Sequence, residues 1–359
     1  MLLNLPTTRL QTTQSLPSYV ARRQQTTNPH TSEFMTPWLK KVTYSIRCGR
    51  NAKYPYYIKC ALRELIPSAY TQARLPHIMR AGLAKYDFAE LADRVDYYNK
   101  LATSCTLSAD APTLASHHLG KREHVYYFDT REFTRFFQQQ FRWHHIPGDV
   151  TFVPEEPTIV KSRPIAGDNA NSVLLKLNKI RHFVFVNDHV PFAQKKSLAV
   201  FRGKTRLKPK RIAFFNRHFG NPLCDLGDTS TKSGDPDEWK TGKMTIREQL
   251  AFKFILAIEG NDVASNLKWI LSSNSVAIMP RPEFETWFME GRLVPNVHYI
   301  EIAPDYADLD EKIRYYSEHP EGAEKIIQNA QAHVAQFGDP LRERLLSLLV
   351  MKKYFDLTN

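Results

Sequence analysis

A chain of 359 residues is too long for one compact core and predicts two domains of ordinary size. Its composition, 42% hydrophobic and 24% charged, is that of a globular protein, and no apolar run approaches the roughly 18–20 residues of a membrane span. The net charge of +12 points to an anionic partner, whereas four scattered cysteines (Cys48, Cys60, Cys105, Cys224) without a Cys-x-x-Cys pair argue against a disulfide framework or structural zinc and favour a reducing, cytoplasmic location.

Residues 1–35 read as a disordered extension; the first 32 contain no acidic residue and are rich in Thr and Gln. From Thr36 to Arg63 seven Lys/Arg and no acid are interleaved with Trp38, Tyr44, Tyr54, Tyr56 and Tyr57. That mixture suits an anionic membrane surface, with inward-packed tyrosines as the plain alternative. Phe88–Leu101 and Thr130–Phe141 read as helices, and His124–Phe128 and Val150–Val153 as strands. A junction is expected near Pro191–Ser197, before a strand at Leu198–Phe201, and Gly227–Gly242 reads as a surface loop. Leu341–Phe355 is a leucine-rich amphipathic helix.

The densest signal lies between Phe252 and Met279. Phe252–Ile258 reads as a strand, Gly260 and Asn261 as a sharp turn, and Asp262 as the N-cap of a helix carrying Val263, Leu267 and Ile270. Ser275–Met279 is a buried strand, Val297–Ile302 another, and Asp308 opens a helical stretch. The alternation predicts an α/β protein with a parallel sheet and ligands at the strands' carboxyl ends, where Gly260 and Pro280 fall. A helix opening with the small or polar Ala264, Ser265 and Asn266 is an expected phosphate site.

Taken together, Phe201-Arg-Gly203, Pro209-Lys-Arg211, Gly260-Asn-Asp-Val-Ala-Ser-Asn-Leu-Lys268, Asn274-Ser-Val276 and His298-Tyr-Ile300 resemble glycosyltransferase family 90. That family includes eukaryotic protein O-glucosyltransferases, fungal capsule-associated transferases and bacterial lipopolysaccharide transferases. The resemblance spans roughly residues 150–336, and Lys161-Ser-Arg-Pro-Ile165 and Asn171–Asn178 look most like the bacterial branch. It implies two facing Rossmann-like domains (the GT-B arrangement): an acceptor-side domain at 36–196, a nucleotide-sugar domain at 197–336, and a last helix, 337–359, returning to the first. It also implies a UDP-sugar donor, an inverting single displacement, and no metal or other cofactor. A lipopolysaccharide core or another phosphorylated glycolipid would be the acceptor, at the inner face of the cytoplasmic membrane.

By the same resemblance Arg211, eight residues after Gly203, is the diphosphate-binding arginine, a planar fork suited to two phosphate oxygens. Lys204 falls at a nucleotide-contacting position, whereas Arg202 is expected to order the turn. Gly260, Asn261, Asp262, Val263, Ala264, Ser265 and Asn266 correspond to the nucleotide-holding loop. Eukaryotic members carry an arginine where this chain has Asn266, and Lys268 is the expected compensation. Trp269 reads as core, and Trp287 as a candidate to stack near the base. For the general base, aligning Val150-Thr-Phe-Val-Pro-Glu-Glu156 with the family's strand-ending aspartate selects Glu155, with Glu156, Asp149, Asp168 and Asp188 as alternatives and an exposed loop carboxylate as the plain reading.

Asp235-Pro-Asp237 formally matches a metal-binding Asp-x-Asp but lacks a preceding apolar strand, and no phosphate-loop, dinucleotide or His-Glu-x-x-His motif occurs. Between Lys161 and Arg217, 14 Lys/Arg face only Asp168 and Asp188. Such a segment suits a phosphate-rich substrate, so nucleic acid is not the expected partner. The rival reading is a non-catalytic binder of nucleic acid or another anionic polymer through this 161–217 patch.

Overall fold

A computed structural model describes residues 52–359 except 122 and 233. The extension at 1–35, and Trp38 and Tyr44 of the basic segment, lie outside the described residues. Helices α1 (Lys53–Glu64), α2 (Ser68–Lys85), α3 (Phe88–Tyr98) and α4 (His124–Thr134) come first. Asp87 caps α3 by accepting from the Glu90 amide at 2.8 Å. The strand expected at His124–Phe128 is instead the start of α4, because Tyr126, Thr130 and Phe133 are buried at helical spacing.

A small parallel sheet follows, in the order β1 (His144–Ile146), β2 (Thr158–Val160), β4 (Ser172–Leu174). The strand expected at Val150–Val153 is a loop; Pro147 and Gly148, the latter at φ +100°, end β1 before it. Between β2 and β4, β3 (Ser162–Pro164) pairs antiparallel with β9 (Phe284–Thr286). Arg163 fixes this pair from within: fully buried, it meets Glu285 at 2.8 Å and donates to the Tyr97 carbonyl at 2.6 Å. A short helix, α5 (Lys179–His182), leaves β4.

The main sheet contains β5 (Lys196–Gly203), β6 (Cys224–Asp228), β7 (Phe252–Leu256), β8 (Val276–Met279) and β10 (Ile300–Glu301). All its pairs are parallel and the order is β10-β8-β7-β5-β6. Helix α6 (Pro209–His218) links β5 to β6, and the short α7 (Ile246–Gln249) and α8 (Leu267–Leu271) precede β7 and β8. Val200, Ile255 and Ala277 face one hydrophobic cluster, and Ala199, Phe201, Phe254, Leu256 and Ile278 face another. Alternate residues of each strand therefore enter opposite cores. That is why β5, β7 and β8 read as nearly continuous apolar runs.

The chain ends in α9 (Leu309–Glu318), α10 (Pro320–Ala335) and α11 (Pro340–Thr358). Asp339 caps α11 through the Leu341 and Arg342 amides. The last of these, α11, packs onto α2, α3 and α4.

Candidate functional site

Numbered by chain position within the main sheet, the order is 2-1-3-4-5, a doubly wound, Rossmann-like arrangement. Its direction of winding reverses between β5 and β7, and ligands of such sheets bind in the crevice that opens there. Arg211 bridges that point. Its Nη1 donates to the Lys204 carbonyl at 2.9 Å, just past β5, and Nε and Nη2 donate to the Ile258 carbonyl at 3.1 and 3.0 Å, just past β7.

The glycines beside it are needed for this close approach. A Cβ on Gly260 would sit 3.3 Å from Arg211 Nη2, and one on Gly203 would strike the Phe201 ring at 2.7 Å. Burial and then the nearby Arg181 guanidinium draw Arg211 down to about 10, against the pull of Asp262, so it stays charged at neutral pH.

The carboxyl ends of the small sheet meet this crevice. Lys161, directly after β2 and 1% exposed, pairs with Asp262 at 2.6 Å and with Asp149, which lies beyond β1. Asn261 Nδ2 donates to Asp149 Oδ2 at 2.9 Å, and Lys208 donates to Asn261 Oδ1. Burial alone would raise the Asp149 pKa, but Lys161, Asn261 and Arg181 outweigh it and hold the carboxylate below its ordinary range. Lys161 moves the other way: burial opposes its charge, but Asp262, Tyr126 and Asp149 raise its pKa.

The helix expected at Asp262 is a correction. Residues 260–266 form bends and a turn, and α8 begins only at Leu267. Asp262 is the buried partner of Lys161 rather than an N-cap. Asn266 is also turned away: its Nδ2 donates to the Leu256 carbonyl at 2.9 Å, tying the loop to β7. Ser265 is half-buried, and Val263 and Ala264 are buried against a narrow cleft lined also by Met279, Pro280 and Phe284, with Lys210 and Glu259 at its polar side. Burial raises the Glu259 pKa although Lys210 lies against it. Lys204 is exposed at the mouth, and Arg202 bonds Asp225 and the Phe201 carbonyl, ordering the strand end.

Lys268 is a second correction. It is fully buried and paired with Glu290, whose carboxylate also accepts from the Thr286 amide at 2.6 Å. Trp287, likewise fully buried, stacks on Tyr98 with centroids 3.8 Å apart and donates to Glu343 at 2.7 Å, so it belongs to the core, as does Trp269.

The carboxylates expected at Glu155 and Glu156 sit at the wrong end of β2. They precede the strand, whereas Lys161 follows it. Glu156 pairs with His144 at 3.0 Å, where β1 begins, and Glu155 is exposed in the same loop. Asp168 closes its own turn by accepting from Ala170, and Asp188 holds Lys195 at 2.7 Å and the Asn274 amide at 3.0 Å. Among the five candidates only Asp149 joins the crevice. Asp149 lies in the loop after β1, two residues past Pro147, where the strand register expected from the sequence does not hold.

The basic run is not a free surface. Lys161, Arg163, Lys176, Lys179, Lys195, Arg202, Lys210 and Arg217 all pair with carboxylates, and most of those partners lie outside 161–217. Arg181 and Lys208, missed as site residues, remain at the crevice. Only their clustering with Arg211 in the folded chain identifies them, since Arg181 stands on a four-residue helix without a spacing signal. Asp235 accepts from Thr205 at 2.6 Å and Asp237 pairs with Lys240, so the Asp-Pro-Asp sequence forms no joint site.

A doubly wound sheet with basic side chains at its switch point offers a crevice suited to an anionic ligand. The sequence profile described as "Glycosyl transferase family 90" matches residues 173–339. The chain is 42% identical over 316 residues to O-glucosyltransferase LpsA of Dichelobacter nodosus, covering 87% of this chain and 98% of that protein. It is 26% identical over 161 residues to protein O-glucosyltransferase 3 of Homo sapiens, covering 44% of this chain and 31% of the human protein; the Rattus norvegicus protein of that name matches over the same shares. The chain belongs to glycosyltransferase family 90 and is a glycosyltransferase. Its end-to-end likeness to a bacterial member places it in the bacterial branch.

Proposed function

We propose that the protein transfers a sugar from a UDP-sugar to a saccharide acceptor with inversion, and that the acceptor is a lipopolysaccharide core or similar phosphorylated glycolipid. The observation that carries this is the charge balance at the switch point. Lys161, Arg181, Lys208 and Arg211 gather around Asp149 and Asp262, an excess of two positive charges. That excess matches a diphosphate, and the adjoining cleft past β7 and β8 offers apolar walls and the Glu259 carboxylate to a base and ribose. The bacterial relative supports glucose as the first sugar to test.

In this reading the guanidinium of Arg211, with Arg181 and Lys208, stabilises the charge that develops on the departing diphosphate. The acceptor hydroxyl attacks the anomeric carbon opposite the bond to phosphate. That bond breaks, its electron pair leaves with UDP, and the hydroxyl proton passes to Asp149. Lys161 and Asn261 keep this carboxylate ionised, the form that can take a proton, although the same contacts make it a weaker base until the substrate rearranges them. A quarter of the side chain remains accessible. The chemistry needs no metal, because fixed cations neutralise the leaving group. Residues 36–196 would present the acceptor, 197–336 the donor, and the protein would work at the cytoplasmic face of the membrane. Among the described residues no helix is long and apolar enough to cross one.

The test is a screen of UDP-sugars for thermal stabilisation, followed by transfer assays on purified lipid A–core and mass spectrometry of the core from a deletion strain. A protein that ignores every UDP-sugar but binds polyanions with a steep salt dependence would overturn the reading.

A further inference from the structure

Helix α1 is built inside out. Its inward face is polar: Tyr56 donates to Asp129 Oδ1 at 2.8 Å, Arg63 pairs with Glu132 at 2.6 Å, and Arg135 donates to the carbonyls of Arg63 and Ile66. Only Cys60 adds a buried thiol between them. The outward face is apolar. Tyr54, Ile58 and Leu62, one turn apart, are 44%, 60% and 59% exposed, and Leu65 at 78%, Ile66 and Tyr70 continue the stripe toward α2. A soluble helix normally points such a stripe at the core.

The charge around the stripe is one-sided. Among the described residues, 52–86 contain six Lys/Arg and one carboxylate, Glu64. That carboxylate is turned to Arg131, 3.6 Å away. We propose that the outer face of α1 and the start of α2 dock on a bilayer rich in anionic phospholipid, the apolar stripe entering the head-group boundary while Lys53, Lys59 and Arg74 meet the lipid phosphates. Interfacial helices combine these two ingredients, a narrow apolar face and flanking cations. A second copy of the chain is a poor occupant, because a twofold contact would set Lys53, Lys59 and Arg74 against their own symmetry mates. The inference goes beyond the transfer reaction and stands on the helix alone.

The test is co-sedimentation of the full chain with vesicles, without donor or acceptor. Binding is expected to phosphatidylcholine–phosphatidylglycerol vesicles and not to phosphatidylcholine alone. The double variant Ile58→Glu/Leu62→Glu should bind at least about tenfold more weakly, and Lys53→Gln or Lys59→Gln about fivefold more weakly each. All four side chains point outward, so the thermal midpoint and UDP-induced stabilisation should be unchanged. Equal binding to both vesicle types, or full binding by the double variant, would overturn the proposal. So would a dimer in sedimentation velocity that the same substitutions dissolve. Vesicle binding that persists in a protein indifferent to UDP-sugars would retain this inference and remove the transfer reading instead.

Discussion

Asn261 and Asp149, 112 positions apart in sequence, are joined by one hydrogen bond of 2.9 Å. The bond ties the loop leaving β7 to the loop leaving β1, so the residue proposed to take the acceptor proton is set by the loop expected to hold the donor. Asp149→Asn should therefore lower kcat by about two to four orders of magnitude and leave UDP binding intact. Glu155→Gln should transfer at the normal rate. Single-turnover assays beside thermal shifts with UDP separate the two; a fully active Asp149→Asn enzyme would remove the base from this loop.

Arg211 and Arg181 should be separable in the same way. UDP at about 100 times its dissociation constant adds roughly 2.7 kcal/mol of stability, and Arg211→Ala should abolish that gain. Arg181 is exposed and its guanidinium makes no hydrogen bond among the described residues, so Arg181→Ala should weaken UDP about tenfold without a change in the ligand-free midpoint. Calorimetric titration reads both. Unaltered affinity in the Arg181 variant would leave the diphosphate to Arg211 and Lys208.

What the sequence revealed here was local. The apolar runs of β5, β7 and β8, with Gly203 ending β5 and Gly260 in the loop after β7, mark a parallel sheet and its crevice, because both features follow from the chain's immediate chemistry. Arg211 was pointed to by the family resemblance rather than by local chemistry, eight residues beyond Gly203; the fold places it on the helix after β5, at the crevice. Partners were not legible. The paired fate of Lys268 depends on Glu290, that of Trp287 on Glu343 and Tyr98, and that of seven residues of the basic run on carboxylates outside it. The choice among Glu155, Glu156 and Asp149 depended on which end of a three-residue strand each occupies, and the valine spacing concealed a loop.

Lys268 now carries a stability prediction rather than a binding one. Lys268→Met would strand the Glu290 carboxylate in the interior, where Thr286 alone cannot replace the ammonium. Breaking one side of such a pair costs about 3–5 kcal/mol. A matching fall in the urea midpoint is expected, with UDP affinity of the folded fraction unchanged. A stable Lys268→Met protein that has lost UDP would restore the lysine to the site.

His333 gives the acid limb of the stability profile. Its Nε2 faces the Phe288 carbonyl at 3.0 Å and must carry the hydrogen, while Gln336 lies 3.1 Å from Nδ1 as its donor, so the ring is neutral. Burial, more than the nearby His298, pulls its pKa down to about 4 despite the carbonyl contact. The unfolded chain protonates this ring near its ordinary value of about 6.5. The contribution is therefore complete above that pH and is lost as pH falls toward 4, at no more than about 1.4 kcal/mol per pH unit. His117, also drawn down to about 4 by burial, adds to the same window. Urea unfolding at pH 7, 6 and 5 should show the decline, and His333→Gln should flatten it. A variant with the wild-type slope would assign the acid loss to other groups.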